Sequence, residues 1–478
     1  MHNMRILNVR LGLATNSSST HSLIFLPKGA KAGEIPEAGD RQYYGWDYFQ
    51  LTRPESKLDY LAQSIYQQLR CSLGDDIAMT VAREWAGRDV ARDGYVDHQS
   101  ALTFPRNWEG KGLDREFLAE FKEFLLRKDV VIVGGNDNDE KQPEVLATGG
   151  EYRPGLDALP REDYGSSWVA RKDGDYWTLF HRDNGTKIRM TFKGDAFDVV
   201  PRRSSAPELI DIKITNYCPF ECGYCYQGST RQGTHANNQW LSSLVYRLRD
   251  LKVFEVAIGG GEPTLHPHFI EILRAFRQQC IVPNFTTKNL GWLRDEEKSV
   301  RLLKLAGAFA FSCEKAEDVR ELAALLKKRD FNRRKVTIQH VVGVVEEEVF
   351  RDVLLACAEN HFPITLLGYK MVGRGPEFGA KPSSKWLSVV RDVCDEKHLC
   401  VGIDTALADR HWDDLIDAGV DPLLMTRVEG QFSCYIDAVA RTINTSSYTD
   451  TPGLRIQDGL VYNDSNPGIQ HLYQALPR

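Results

Sequence analysis

Apolar side chains recur along this chain with two different periods, and the change of period divides it. Residues 57–70, 75–87 and 115–128 carry them at helical spacing, with Phe117, Phe121, Phe124 and Leu125 on one packing face. Residues 4–10 and 22–27 read as short strands around a polar turn at 16–22. From residue 167 the period falls to two. Strands are expected at 168–170 and 176–180, and Asn184-Gly185 turns the chain into a third at 187–192. The Gly- and Pro-rich stretch 28–39 and the polar stretch 136–155 read as loops, and 201–207 as a linker. The pattern predicts an N-terminal mixed α+β domain, residues 1–200, closed by a small sheet and offering no catalytic constellation.

Beyond the linker the alternation becomes regular. Strands are expected at 209–215, 254–259, 282–287, 308–313, 336–342 and 364–369, and helices at 240–251, 268–279, 299–306, 318–328, 347–358 and 384–394. Six strand–helix pairs predict a parallel sheet with right-handed crossovers. The fold class is α/β, a partial (β/α)6 TIM-like barrel over residues 208–397, in which chemistry belongs at the carboxyl ends of the strands. Residues 398–478 form a less regular C-terminal extension. It is expected to hold a strand at 403–407, a helix at 411–418 and a hairpin at 431–438 and 442–446, covering the open side of the barrel or approaching the substrate.

Composition changes this picture little. The chain has 478 residues and a net charge of -6, which gives no reason to expect nucleic acid or an anionic membrane as a bulk partner. No run approaches the roughly 18 apolar residues of a membrane span, and the first residues lack a secretory apolar stretch. Ten cysteines scattered through a long chain are not a secreted disulfide framework, so a reducing cytoplasm is expected.

The chemistry is concentrated in the loop after the first barrel strand, T-N-Y-C-P-F-E-C-G-Y-C-Y-Q, which places Cys218, Cys222 and Cys225 at C-x3-C-x2-C spacing. Three thiolates so close suit a soft metal or an iron–sulfur cluster. A structural zinc site wants four ligands and would need one from afar. A 4Fe–4S cluster also commonly takes four cysteines, so three leave one iron open, which suits substrate binding and not simple electron transfer. A non-catalytic iron–sulfur or zinc redox sensor stays open at this point.

The loop resembles that of the radical S-adenosylmethionine superfamily, whose motif is C-x3-C-x-Φ-C with Φ aromatic, here Tyr224. A second element, Gly259-Gly260-Gly261-Glu262-Pro263 after the second strand, resembles that superfamily's Gly-Gly-Glu motif. The resemblance covers about residues 208–374. It implies one 4Fe–4S cluster on the three cysteines, with S-adenosylmethionine chelated to the open iron. Reductive cleavage would then give a 5′-deoxyadenosyl radical that abstracts hydrogen from a substrate. Glu262 would accept from the cofactor's ammonium. Gly259, Gly260 and Gly261 would allow close approach, and Thr287, Ser312, Gln339 and Leu367 at later strand ends would line the cofactor site. Cys313 is a candidate hydrogen donor, and His235 and His266 are candidates for proton transfer. Arg374 is a candidate partner for a substrate carboxylate or phosphate. An external one-electron donor of flavodoxin or ferredoxin type is implied. The large flanking domains favour a peptide or protein side chain as substrate, with a small metabolite or nucleotide as the alternative. Cys394, Cys400 and Cys434 are too few, and spaced unlike the usual pattern, for the two auxiliary clusters some relatives carry.

Overall fold

A computed structural model describes residues 5–10, 22–25, 37–39, 42–45, 48–96, 102–110, 112–128, 130–134, 168–192, 203–329, 335–380, 385–420, 422, 425, 427–457 and 468–477. The expected turn at 16–22 lies outside them except for Ser22, which begins a strand, and the expected loop at 136–155 lies outside them altogether. The chain forms two compact units, Met1–Pro201 and Arg202–Arg478.

In the first unit the strands are β1 (Arg5–Arg10), β2 (Ser22–Phe25), β3 (Tyr43–Tyr44), β4 (Phe49–Leu51), β5 (Tyr95–Val96), β6 (Val130–Gly134), β7 (Trp168–Asp173), β8 (Tyr176–His181) and β9 (Lys187–Thr191). The hairpin expected at Asn184-Gly185 joins β8 to β9, with Gly185 at φ 73°. β1 and β2 are sequence neighbours but pair into different sheets, β1 with β9 and β2 with β6. The helix Arg115–Leu125 starts at Asp114, whose side chain accepts from Phe117 N (3.0 Å). Its Phe117 and Phe121 meet Phe192 edge-on at 5.3 and 5.8 Å, which accounts for the aromatic face seen in the sequence.

The second unit is built on one sheet. Its strands are β10 (Leu209–Thr215), β11 (Glu255–Gly260), β12 (Val282–Thr287), β13 (Phe309–Ser312), β14 (Val336–Val341), β15 (Ile364–Leu367), β16 (Val401–Ile403), β17 (Ser433–Asp437), β18 (Thr442–Asn444) and β19 (Leu454–Arg455). Their order is β16-β15-β14-β13-β12-β11-β10-β17-β18-β19. β10 to β15 are the six strands expected of the partial TIM-like barrel. The C-terminal stretch adds a parallel strand at each edge, β16 beside β15 and β17 beside β10. β17 then turns back antiparallel into β18, the expected hairpin. The strand expected at 403–407 lies earlier, at Val401–Ile403. Asp404 accepts from Leu407 N (2.8 Å), capping the helix Thr405–Arg410 in its place.

The two faces of this sheet differ. Ile210, Ile212, Ile214, Val256, Ile258, Phe309, Phe311, Val336, Ile338, Ile364 and Leu366 are buried in one core with the helices. Each such side chain contributes about 1.5–3 kcal/mol of burial. The alternate positions Asp211, Asn284, Thr286, Ser312, Thr337, Gln339 and Thr365 are polar and remain at least partly accessible. A parallel sheet covered on both faces would be apolar throughout. This alternation leaves one polar, reachable face beneath the strand ends. Among the described residues no helix is long and apolar enough to cross a membrane.

Candidate active site

The cysteine loop is held from behind, through its backbone. Cys218 N donates to Thr230 O (2.9 Å) and Cys225 N to Cys222 O (3.1 Å). Arg374 staples the same loop: its Nε donates to Cys222 O (3.0 Å), its Nη1 to Ser229 O (3.0 Å) and its backbone N to Cys225 O (3.0 Å). Gly373 packs there at φ 60°, where a Cβ would collide with the Tyr226 carbonyl. Arg374, expected to meet a substrate anion, is instead a structural clasp on the loop carbonyls. The thiols of Cys218, Cys222 and Cys225 are free and half-buried. Burial pushes the Cys218 thiol up, so a bound metal would have to hold it as thiolate.

Among the described residues no three His, Cys, Asp or Glu side chains converge as ligands of a single metal ion. A 4Fe–4S cluster asks for something different: each thiolate binds its own iron, so the sulfurs need to surround a space and not a point. Three free thiols in one loop, with the neighbouring carbonyls engaged elsewhere, fit that demand.

Glu262 is buried, at 2% exposure. Its Oε1 accepts from Thr264 N (3.2 Å), Thr264 Oγ1 (2.6 Å) and Thr287 Oγ1 (2.7 Å), and its Oε2 from Lys288 N (2.9 Å). Burial raises its pKa, and these donors act against that rise. Thr287, also buried, therefore works through Glu262. With one hydrogen bond at Oε2, the carboxylate keeps acceptor capacity for an ammonium.

The three glycines divide by role. Gly261 N donates to Thr215 O (2.7 Å) and Glu262 N to Tyr217 O (2.8 Å), tying the glutamate directly to the start of the cysteine loop. A Cβ on Gly261 would overlap the Tyr217 carbonyl, and Gly260, at φ 111°, would bring one to 2.5 Å from Thr215 O. Their smallness serves contact between two loops of the protein. Gly259 alone of the three opens on space, with nothing within 4 Å of the point a methyl group would occupy. Gly261→Ala is therefore expected to lower stability by about 3 kcal/mol or more, and Gly259→Ala to stay within about 0.5 kcal/mol. Urea unfolding of both variants checks this.

At the ends of β12 and β13 a polar chain approaches the cysteines. Lys288 Nζ lies 3.4 Å from Cys222 Sγ and is ion-paired with Glu314, which also accepts from Tyr224 OH (2.5 Å). Burial opposes ionisation of Glu314, but Lys288 and Tyr224 outweigh it and hold its carboxyl below the usual range. Burial and then Glu314 push the Tyr224 phenol up. The motif's aromatic residue is thus a hydrogen-bond donor here. No motif in the sequence marks Glu314. Its one signal is its place two residues after Ser312 at a strand's carboxyl end.

The other expected residues fall into two groups. Ser312 and Gln339 are cross-strand partners, half-buried on the polar face. Leu367 is half-buried, but its carbonyl already accepts from Val342 N (3.0 Å) and Gly368 N donates to Asp404 (2.8 Å), so only part of the backbone there can meet a ligand. Cys313 requires correction. It is 4% exposed and joins Phe309 and Phe311 in the core against the helices, and burial pushes its thiol up. A hydrogen donor must reach the substrate, and this side chain faces the wrong layer. His235 likewise serves the base of the loop. Its Nδ1 is 2.8 Å from Thr215 Oγ1 and its ring packs 4.9 Å from His266. Burial lowers the pKa of both, and that of His266 to about 4.

The C-terminal stretch reaches the cysteine loop. The Lys370 ammonium sits 4.6 Å from the ring centres of both Tyr226 and Tyr448, and Tyr435 OH donates to Gln227 Oε1 (3.4 Å). Solvent reaches Asp211 on the polar face, but surrounding protein encloses it and pushes its carboxyl up to about 6, with Glu429 adding to the effect. Cys434 is buried in the core, while Cys394 and Cys400 are exposed.

Residues 212–348 match the model of the Radical SAM superfamily. A GTP 3′,8-cyclase of Edwardsiella ictaluri (strain 93-146) is 28% identical over 86 residues, 17% of this chain and 26% of that protein. The chain thus spans about a quarter of that curated relative. Among solved structures, Streptococcus suis SuiB bound to S-adenosylmethionine aligns with a TM-score of 0.45 at 13% identity, covering 62% of this chain and 86% of that one. Native anSMEcpe with bound AdoMet and Cp18Cys peptide aligns at 0.39 and 17% identity, covering 56% and 81%.

Proposed function

We infer, from the match of residues 212–348 to the Radical SAM superfamily model, that the protein is a radical SAM enzyme acting by hydrogen abstraction on a peptide or protein side chain. One observation carries the chemistry: the loop bearing Cys218, Cys222 and Cys225 and the strand end bearing Glu262 are bonded to each other, Gly261 N to Thr215 O and Glu262 N to Tyr217 O. Cys218, Cys222 and Cys225 would hold a 4Fe–4S cluster, and Glu262 the ammonium of S-adenosylmethionine. When bound, these groups supply reductive cleavage of the sulfonium and hydrogen abstraction. The chain's own part is to fix them. Arg374 clasps the loop, Thr264 and Thr287 orient the Glu262 carboxylate, and the polar face bearing Ser312 and Gln339 stays partly accessible.

The substrate reading rests on the separate unit of residues 1–201, large enough to dock a macromolecule. A nucleotide is the second reading, favoured by the short match to a GTP 3′,8-cyclase. The reconstituted protein with dithionite and S-adenosylmethionine should release 5′-deoxyadenosine, and a size-fractionated extract should raise that release. Stimulation by the macromolecular fraction supports a peptide or protein, and stimulation by the small-molecule fraction alone turns the reading to a metabolite or nucleotide. No release from protein that holds its cluster would refute the enzyme.

A further inference from the structure

Lys288 touches both halves of the cradle. Its backbone N–H donates to Glu262 Oε2 (2.9 Å), while its ammonium lies 3.4 Å from Cys222 Sγ. Glu314 fixes that ammonium by an ion pair and accepts from Tyr224 OH, so the lysine is held at the sulfur and does not swing freely. Lys288 and Glu314 are 27% and 29% exposed, enclosed enough to limit screening by solvent.

We propose that Lys288 is a fixed positive charge on the cluster, held against the Cys222 sulfur by Glu314, and that this pair sets the cluster's reduction potential. The proposal rests on the reading that Cys218, Cys222 and Cys225 hold a 4Fe–4S cluster. Hydrogen bonds to cluster sulfurs and nearby charge are among the terms that set such potentials. Reduction adds one electron from an external donor, here dithionite, with no bond made or broken and no proton required. The added negative charge is stabilised by the Lys288 ammonium and opposed by the Glu314 carboxylate. The two residues therefore act with opposite sign although they belong to one contact network.

That opposition is the test. The full-length protein and its Lys288→Met, Glu314→Gln and Lys288→Arg variants are reconstituted anaerobically. Each is titrated with dithionite without S-adenosylmethionine and followed by the paramagnetic signal of the reduced cluster, with iron and sulfide assayed in parallel. Lys288→Met should shift the midpoint negative by about a tenfold change in the reduced-to-oxidised ratio, about 59 mV for one electron. Glu314→Gln should shift it positive, and Lys288→Arg should stay close to the parent. Shifts of Lys288→Met and Glu314→Gln in the same direction, or no shift in either at unchanged iron content, overturn the proposal and leave Lys288 a structural tie. If Lys288→Met loses iron, Glu314→Gln decides: a positive shift supports the proposal, and no shift or a negative one overturns it. A parent protein that takes up no iron refutes the cluster reading itself, and the proposal with it.

Discussion

Serine at Cys222 is expected to strip the protein of its iron and end 5′-deoxyadenosine release, while serine at Cys313 leaves the iron in place. The two substitutions are chemically identical, so only location distinguishes them. Cys222 sits in a loop whose carbonyls are engaged by Arg374, leaving its thiol half-buried and directed at Lys288. A hydroxyl there replaces a soft thiolate with a hard, poorly ionised donor, and two remaining cysteines are too few to hold a cluster of about four irons. Cys313 is 4% exposed in the apolar core. Serine there buries a hydroxyl, which costs about 1–3 kcal/mol of stability where it finds no partner, but it removes no ligand. Iron and sulfide assays on both variants check the pair. Full iron in Cys222→Ser, or its loss from a folded Cys313→Ser, would show that the cluster has been placed on the wrong thiols.

Cys313 also shows how far the chain could be read without its structure. Phe309, Phe311 and Cys313 share a parity, and a period of two places all three on the apolar face. That signal was in the sequence, but the position at a strand's carboxyl end pointed the other way. The six strands β10 to β15 and the loops after the first two were legible because each strand is bounded by a helical run and each motif is contiguous. The parallel strands added by the C-terminal stretch were harder. β16 has three residues and β17 five, and their membership in the sheet is decided by pairing such as Leu209 with Ser433, more than two hundred positions apart. Arg374 was visible as a residue, but its role depends on the carbonyls of Cys222 and Ser229, whose direction no side-chain pattern encodes. The same holds for Glu314, whose meaning comes from Lys288 at another strand end and from Tyr224 in the cysteine loop.

Glu262→Gln is expected to weaken S-adenosylmethionine binding by about tenfold to a hundredfold while the iron content stays at the parent level. The loss has two sources. A neutral amide gives up the charge-assisted contact to an ammonium, and hydrogen bonds to charged groups are worth about 1.5–3 kcal/mol. The amide is also a poor fit to its own surroundings. Thr264 Oγ1, Thr264 N and Thr287 Oγ1 all donate to Oε1, so that oxygen stays an oxygen, and the new NH2 must face the Lys288 backbone N–H at the other position. Two donors then meet at a buried site, with a penalty of about 1–3 kcal/mol for the group left unpaired. The variant should therefore lose affinity and some stability together, without losing iron, because the cysteine loop is fixed by contacts of its own with Arg374 and Thr230. Equilibrium binding of S-adenosylmethionine to reconstituted protein, alongside iron analysis and urea unfolding, separates the terms. Unchanged affinity in a destabilised variant would make Glu262 a buried tie between three strand ends, and the ammonium site would have to be sought elsewhere on the polar face.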